Sequence, residues 1–259
     1  MATPLQQIWA TGDFSKVGTG QVIVGELLCD SIPVHAGDRV LDVATGAGNT
    51  ALAAARRACK VTGIDFVPAL LERARERAHA ERLKVDFREG NAETIPCEDG
   101  SFDVVLSTFG AMFAEPALAA AEMLRVCRSG GKIAMANWTP KGMIGEMFRV
   151  IASFDPPLPR AQPPALWGVE EVVRNRFGDA IRDLRIIPRK VIMRHFTPES
   201  WVEFMKTYLG PAIKACEAAG TRAPELTAAM VELGRKYNQS GDATLFALAD
   251  YVEVIATKA

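Results

Sequence analysis

The chain has 259 residues, 49% hydrophobic and 24% charged, with 30 basic and 31 acidic residues and a net charge of −1. That balance suits one large globular domain, or a domain with a sizeable insertion, with room for a full core, and the lack of any basic block argues against nucleic acid as an obligatory partner, since phosphate contacts need clustered Lys and Arg. No apolar run reaches bilayer-spanning length, residues 1–9 lack the basic and apolar regions of a signal peptide, and five scattered cysteines form no C-x-x-C or Cys/His cluster, so a cytoplasmic protein without a metal site is expected.

Residues 1–34 precede the first strand. Apolar spacing predicts two short helices around Gly18-Thr19-Gly20, the second over 21–30. Trp9 and Phe14 fit either a helix packed on the sheet edge or a flap over a ligand. Residues 39–44, apolar but for Asp42, make a strand; Thr45-Gly46-Ala47-Gly48 is a tight turn; 49–58, rich in Ala and Arg, is a helix. A second strand over 60–64 closes on Asp65. Pro68 opens a helix reaching His79, with Arg73, Arg75 and Arg77 interleaved with acids as a solvated face. Strands follow over 84–89 and 102–106, then a helix over 116–127. Ser129-Gly130-Gly131 is expected to stop that helix in a left-handed cap before a fifth strand over 132–138. Strands alternating with helices at these intervals imply a parallel, doubly wound sheet with right-handed crossovers.

Beyond 138 the sequence predicts helices over 143–152 and 168–177, with a stiff proline loop at 155–159 and 163–164 between them. A long strand or hairpin arm over 181–196, three helices over 198–209, 211–219 and 224–238, and a closing strand over 244–257 complete the chain. The helices between Phe196 and Gly241 are then an insertion between the last two strands. They read as a lid that excludes water, or as ordinary helical decoration.

The unit from Asp38 to Asp65 is strand, glycine turn, helix, strand, with a ligand turn at the first strand end. Gly46-Ala47-Gly48-Asn49-Thr50-Ala51 fits the loose dinucleotide pattern G-x-G-x-x-G/A, so a nicotinamide or flavin enzyme has to be weighed. Asp42 argues against it: an anion four residues before Gly46 would repel a pyrophosphate and attract an amino group. An acid at Asp65 stands where a carboxylate accepts two hydrogen bonds from a ribose diol.

The succession DVATGAG, GID, GNAETIP, SFDVVLS and EMLRVCRSGGKI, in this order and spacing over 37–138, resembles class I S-adenosylmethionine-dependent methyltransferases. The nearest branch is the small-molecule one that includes quinone-biosynthesis C-methyltransferases. The resemblance implies a Rossmann-like, mostly parallel seven-stranded α/β sheet with an antiparallel seventh strand. It also implies one domain over 1–259: a helical flap (1–34), a cofactor core (35–140) and a helical lid (196–241). Two departures stand out. Ala44 takes the first glycine position of D/E-x-G-x-G-x-G, with Thr45 before Gly46, and Asn91 follows the third strand where Asp is common.

By that resemblance Asp42 lies near the cofactor's methionine ammonium. The backbone at Ala44, Thr45, Gly46, Gly48 and Asn49 lines its methionine and ribose, and Asp65 holds the ribose hydroxyls. Phe66 packs on adenine, or else in the core; Asn91 and Ala92 meet the adenine edge, and Ser107 and Thr108 flank the methionine arm. The cofactor is S-adenosyl-L-methionine and the product S-adenosyl-L-homocysteine. The implied partner is a small methyl acceptor, handled by a monomer or homodimer. Phe14, Phe109, Phe113, Trp138 and Tyr208 are the candidate acceptor residues, with Trp167 and Trp201 also considered, and an aromatic pocket implies a hydrophobic or aromatic acceptor. Methyl transfer needs a base only when the nucleophile carries a proton. His195 is the candidate, against the alternative of a structural histidine, with Tyr208 also weighed. Two other functions stay open: a nicotinamide-dependent oxidoreductase and a non-catalytic cofactor-binding protein.

Overall fold

A computed structural model describes residues 3–155 and 162–259. Most of the expected proline loop, residues 156–159, lies outside the described residues; Pro163 leads into a 3-10 turn, Pro164–Gly168. Seven strands make one sheet: β1 (Arg39–Val43), β2 (Lys60–Asp65), β3 (Val85–Glu89), β4 (Phe102–Thr108), β5 (Cys127–Trp138), β6 (Ile181–His195) and β7 (Leu245–Lys258). Their order across the sheet is β3-β2-β1-β4-β5-β7-β6. β1 to β5 run parallel, and β7 runs antiparallel between β5 and β6. The order reverses between β1 and β4, the point at which an open α/β sheet leaves a crevice beyond its carboxyl ends. The expected fold class is thus the observed one.

The central strands read as apolar runs because helices cover both of their faces. Val40, Leu41, Val43, Val105 and Leu106 are fully buried. α4 (Asn49–Arg56) joins β1 to β2, α5 (Pro68–Ala80) joins β2 to β3, and α6 (Pro116–Val126) joins β4 to β5. α7 (Met143–Phe154) and α8 (Glu170–Phe177) follow β5, and α9 (Pro198–Tyr208), α10 (Gly210–Ala219) and α11 (Ala223–Tyr237) lie between β6 and β7. A reciprocal cap starts α9: Ser200 N donates to Thr197 Oγ1 (3.1 Å) and Thr197 N donates to Ser200 Oγ (2.9 Å).

Ahead of β1 stand three helices rather than two: α1 (Pro4–Ala10), α2 (Phe14–Gly18) and α3 (Val22–Ser31), with a 3-10 turn, Thr19–Gln21, between the last two. α3 lies so close to α4 that a Cβ on Gly25 would come within 3.0 Å of Thr50 Cα. Its far end is fastened to the sheet, where Ser31 Oγ donates to Glu253 Oε2 (2.6 Å) and Arg189 pairs with the same carboxylate (3.2 Å). Glu253 is fully buried.

One expectation fails in β5. Ser129-Gly130-Gly131 does not cap a helix; it lies inside the strand, since Cys127 is already extended. The β4 pairing register shifts there, and Gly130 takes φ 71°. The extra residues form a bulge, for which a glycine with positive φ is as suitable as for a cap.

Candidate functional site

β1 ends under a turn that left-handed backbone makes possible. Ala44, Gly46 and Gly48 have φ of 54°, 54° and 83°. Ala44 holds this conformation as a non-glycine, and so does Phe109 (φ 57°) just past β4. Such strain persists only where the surroundings enforce it. Here they do: a Cβ on Gly110 would stand 2.5 Å from Ala44 Cβ, so the two loops close on each other over bare backbone.

Two carboxylates organise the turn. Asp65 Oδ2 accepts from Gly46 N (2.9 Å) and Oδ1 from Val67 N (2.9 Å). Asp42 Oδ2 accepts from Thr45 Oγ1 (2.5 Å) and from Ala51 N (2.9 Å) in the first turn of α4. Both are buried, and burial raises both acids: Asp42 to about 7 and Asp65 to about 6, although the hydrogen bonds pull the other way. Arg77 stays behind the turn, donating to Ala47 O (2.6 Å) and Asn49 Oδ1 (2.7 Å).

Above the turn sits the N-terminal segment. Asn49 Nδ2 donates to Gly18 O (2.9 Å), Gln6 Nε2 donates to Phe66 O (2.6 Å), and Asp13 N donates to Tyr208 O (3.1 Å). α1 meets α10 so tightly that a Cβ on Gly210 would be 2.0 Å from Ile8 O.

Two cavities result. The first lies over the carboxyl ends of β1, β2 and β4; among the described residues, Asp42 and Asp65 are its only charged lining residues. Ala44, Thr45, Gly46 and Asn49 form its floor, and Phe66, Ala92 and Leu70 one apolar end. Thr50 and Thr108 add hydroxyls, hydrogen-bonded to each other at 2.7 Å. The second cavity lies deeper among Trp138, Ile144, Met147, Met193 and Met205. Trp9, Phe14, Gln21, Phe109 and Phe113 line both and form the neck between them. Aromatic packing shapes this neck: Phe109 stacks on Trp138 at 3.7 Å, and Trp9 meets Phe113 edge-on at 4.7 Å. The enclosed volumes are about 80 and 30 Å³.

Not every expected site residue reaches the cavities. Gly48 packs instead: a Cβ there would press on Ala74 and Phe87 at 3.1–3.2 Å. Asn91 Oδ1 accepts from Glu93 N (3.0 Å) in a local turn that keeps its side chain out of the lining. Ser107 Oγ donates to Val43 O (2.8 Å) and accepts from Ala111 N (2.9 Å), clamping β4 to β1. His195, half-buried at the end of β6, lies tilted against Phe204 at 5.1 Å and lines neither cavity; burial lowers its pKa. Tyr208 packs on Phe204 and offers its backbone carbonyl, not its phenol, to the flap. Trp167 and Trp201 are fully buried core residues. Among the described residues no group of three His, Cys, Asp or Glu could hold a metal ion.

Gln21 was missed. It is buried at 8% exposure, begins α3, and shares a helical stripe with Val24 and Leu28. A glutamine in register with two fully buried apolar residues was the available signal.

Comparison with known proteins places the chain. Residues 41–135 match the family described as "Methyltransferase domain". An uncharacterised Mycobacterium tuberculosis protein, Rv1403c, is 39% identical over 244 residues, 91% of this chain and 89% of the relative. A demethylmenaquinone methyltransferase of Deinococcus radiodurans is 41% identical over 131 residues, 49% of this chain and 54% of that protein. Among solved structures, the YcgJ protein of a Bacillus species superposes with a TM-score of 0.61 at 19% identity, covering 90% of this chain and 97% of that one. A geranyl diphosphate methyltransferase in complex with S-adenosylmethionine gives 0.53 at 19% identity, over 92% and 85%.

Proposed function

The chain belongs to the class I S-adenosylmethionine-dependent methyltransferases, and from that premise we propose that it transfers the cofactor's methyl group, by in-line displacement, to a small, largely apolar acceptor. One observation carries the reading: among the described residues, the first cavity is charged only by Asp42 and Asp65 and then narrows into an aromatic, uncharged second cavity. S-adenosylmethionine brings an ammonium and a sulfonium against one carboxylate and is net positive, so two acids without a base suit it. A nicotinamide dinucleotide would set its pyrophosphate against the same acids with no cation in the lining.

The residues present fit the cofactor. Asp42, whose Oδ1 has no hydrogen-bond partner among the described residues, is the counter-ion for the ammonium. Asp65 keeps lone pairs for a ribose diol while fixing the turn through Gly46 N and Val67 N. Phe66, Leu70 and Ala92 give an apolar berth for adenine. The cofactor supplies an activated methyl group, so the chain's own task is to orient the acceptor and exclude water. The neck aromatics do both.

The volumes of about 80 and 30 Å³ fall well below the roughly 300–1,000 Å³ of typical ligand sites. Loading therefore requires α1 and α2 to lift, and the short contact from Gln6 to Phe66 is the latch that must open. Of the segment α9–α11, Met205 of α9 and Leu209, in the link to α10, line the second cavity and form part of its outer wall.

Calorimetry with S-adenosylmethionine, S-adenosylhomocysteine and NADH tests the assignment. Tight binding of the first two and none of NADH supports it; tighter NADH binding transfers the site to redox chemistry.

A further inference from the structure

Among the described residues, and apart from the indole N–H donors of Trp9 and Trp138, Gln21 is the one polar side chain in the wall of the second cavity and the only one that can also accept a hydrogen bond. The rest of that wall is aromatic, aliphatic or methionine, without Lys, Arg, His, Asp or Glu. Gln21 is more than nine-tenths buried as a residue; its amide forms no hydrogen bond among the described residues, and its polar atoms keep accessible surface where the side chain lines the cavities. It sits at the N-cap of α3 and its side chain makes no capping bond. An amide with no partner of its own in the fold, turned to a largely apolar cavity, has its donor and acceptor free for a ligand. Its position suits that use, because Gln21 lines both cavities and stands at the neck with Trp9, Phe14, Phe109 and Phe113.

We infer that Gln21 holds the single polar group of the acceptor, a neutral oxygen on an otherwise apolar molecule, at the junction of the two cavities. The inference rests on the methyltransferase reading and narrows its acceptor class. An amide both donates and accepts, so it serves a hydroxyl or a carbonyl oxygen equally. It cannot neutralise an anion, and no cation in this wall can either, so a phosphorylated or carboxylated acceptor would be left with a buried unpaired charge. The chamber therefore differs in kind from what a diphosphate substrate such as geranyl diphosphate demands. Met147, Met193 and Met205 give the apolar part a wall that adapts to shape. Selectivity then comes chiefly from the one oxygen, because a site built around a hydrogen bond rejects the analogue that lacks it more strongly than it rejects a change in hydrocarbon.

The test is equilibrium binding to the full chain saturated with S-adenosylhomocysteine, read by ligand-observed NMR without turnover. The probes are 2-naphthol, its isostere 2-methylnaphthalene, and 1-naphthyl phosphate. The expected result is 2-naphthol bound about tenfold tighter than 2-methylnaphthalene, with no binding of the phosphate. Gln21→Leu should erase the preference by weakening 2-naphthol alone. Should the leucine variant fold poorly, Gln21→Asn, which withdraws the amide by one methylene, is the second variant and should also lose the preference. A preference that survives in the folded variant overturns the role of Gln21 and leaves the methyltransferase reading intact. Tightest binding of the phosphate, or no binding of any probe, overturns the acceptor class. Failure to bind S-adenosylhomocysteine is read separately and strikes the methyltransferase reading itself.

Discussion

The two cavities share five wall residues and are otherwise made by opposite means. The first is built from backbone: left-handed turns after β1 and β4, amide N–H groups gathered by two carboxylates, and bare glycine contacts. The second is built from side chains on segments that run from Trp9 to Leu209. A backbone cradle tolerates little change because each bond holds a chain segment. A side-chain chamber can be reshaped one residue at a time. The difference predicts which substitutions destroy the site and which retune it.

Asp65→Ala should do the most damage. It strands two buried amides, Gly46 N and Val67 N, at about 1–3 kcal/mol each, besides losing the ligand bond. S-adenosylmethionine affinity should fall more than about 100-fold and the melting temperature should drop. Calorimetry showing affinity within about threefold of wild type would remove Asp65 from the cradle.

Asp42→Asn should separate binding from folding. The amide oxygen can still accept from Thr45 and Ala51, but the counter-charge is gone. Cofactor affinity should fall about 10- to 100-fold, the size of a lost charged hydrogen bond. Stability without ligand should move the other way. The folded pKa of Asp42 is raised from 3.8 to about 7 and that of Asp65 to about 6, so both groups contribute stability below about pH 4 that is lost as pH rises through 6 to 7. The variant escapes the Asp42 part of that loss. Its melting temperature, compared with wild type, should gain between pH 5 and 8; an unchanged difference across that range refutes the buried-carboxylate account.

Trp9→Ala acts on the chamber and neck. It should weaken 2-naphthol about tenfold while changing S-adenosylhomocysteine affinity less than about threefold, because the ring contributes apolar area and no polar bond. Equal losses of both would mean that the two cavities are one site. In the wild type, hydrogen exchange should show α1 and α2 gaining protection when S-adenosylhomocysteine binds; unaltered exchange there rules out a closing flap. The smallest effect belongs to His195→Ala, which should leave turnover within about twofold since the ring lines neither cavity. A larger kcat loss at unchanged cofactor affinity would return it to the mechanism.

The same contrast governs what could be read in advance. The five parallel strands followed from the alternation of apolar runs and helices, the antiparallel seventh from the family resemblance, and Asp42, Gly46 and Asp65 from a motif within one βαβ unit; the order of the strands across the sheet came only with the structure. Strand-end position alone misled for Ser107 but not for Thr108: neighbours in a strand point to opposite faces, so the first clamps Val43 and the second lines the cavity. Asn91 has the right place in the chain, but a local turn takes up its oxygen, a competition that Asn side chains commonly win. Tyr208 and His195 needed the packing of α9 against β6, which no local pattern encodes. Gln21 was legible in principle, as a polar residue on a buried stripe, and was passed over because the stripe was read only for its apolar members.

β6 has one more consequence. It is an edge strand of 15 residues, long enough to invite a second sheet. Five basic residues, Arg182, Arg185, Arg189, Lys190 and Arg194, lie along it against one acid, Asp183. Pro188 removes a donor from its middle, and its pairing register shifts between Arg182 and Arg185. Glu253 and Asp250 of β7 offset Arg189 and Lys190, and the remaining arginines still make the edge a poor match for a second copy of itself. The strand that completes the sheet thus also discourages a further strand from joining it.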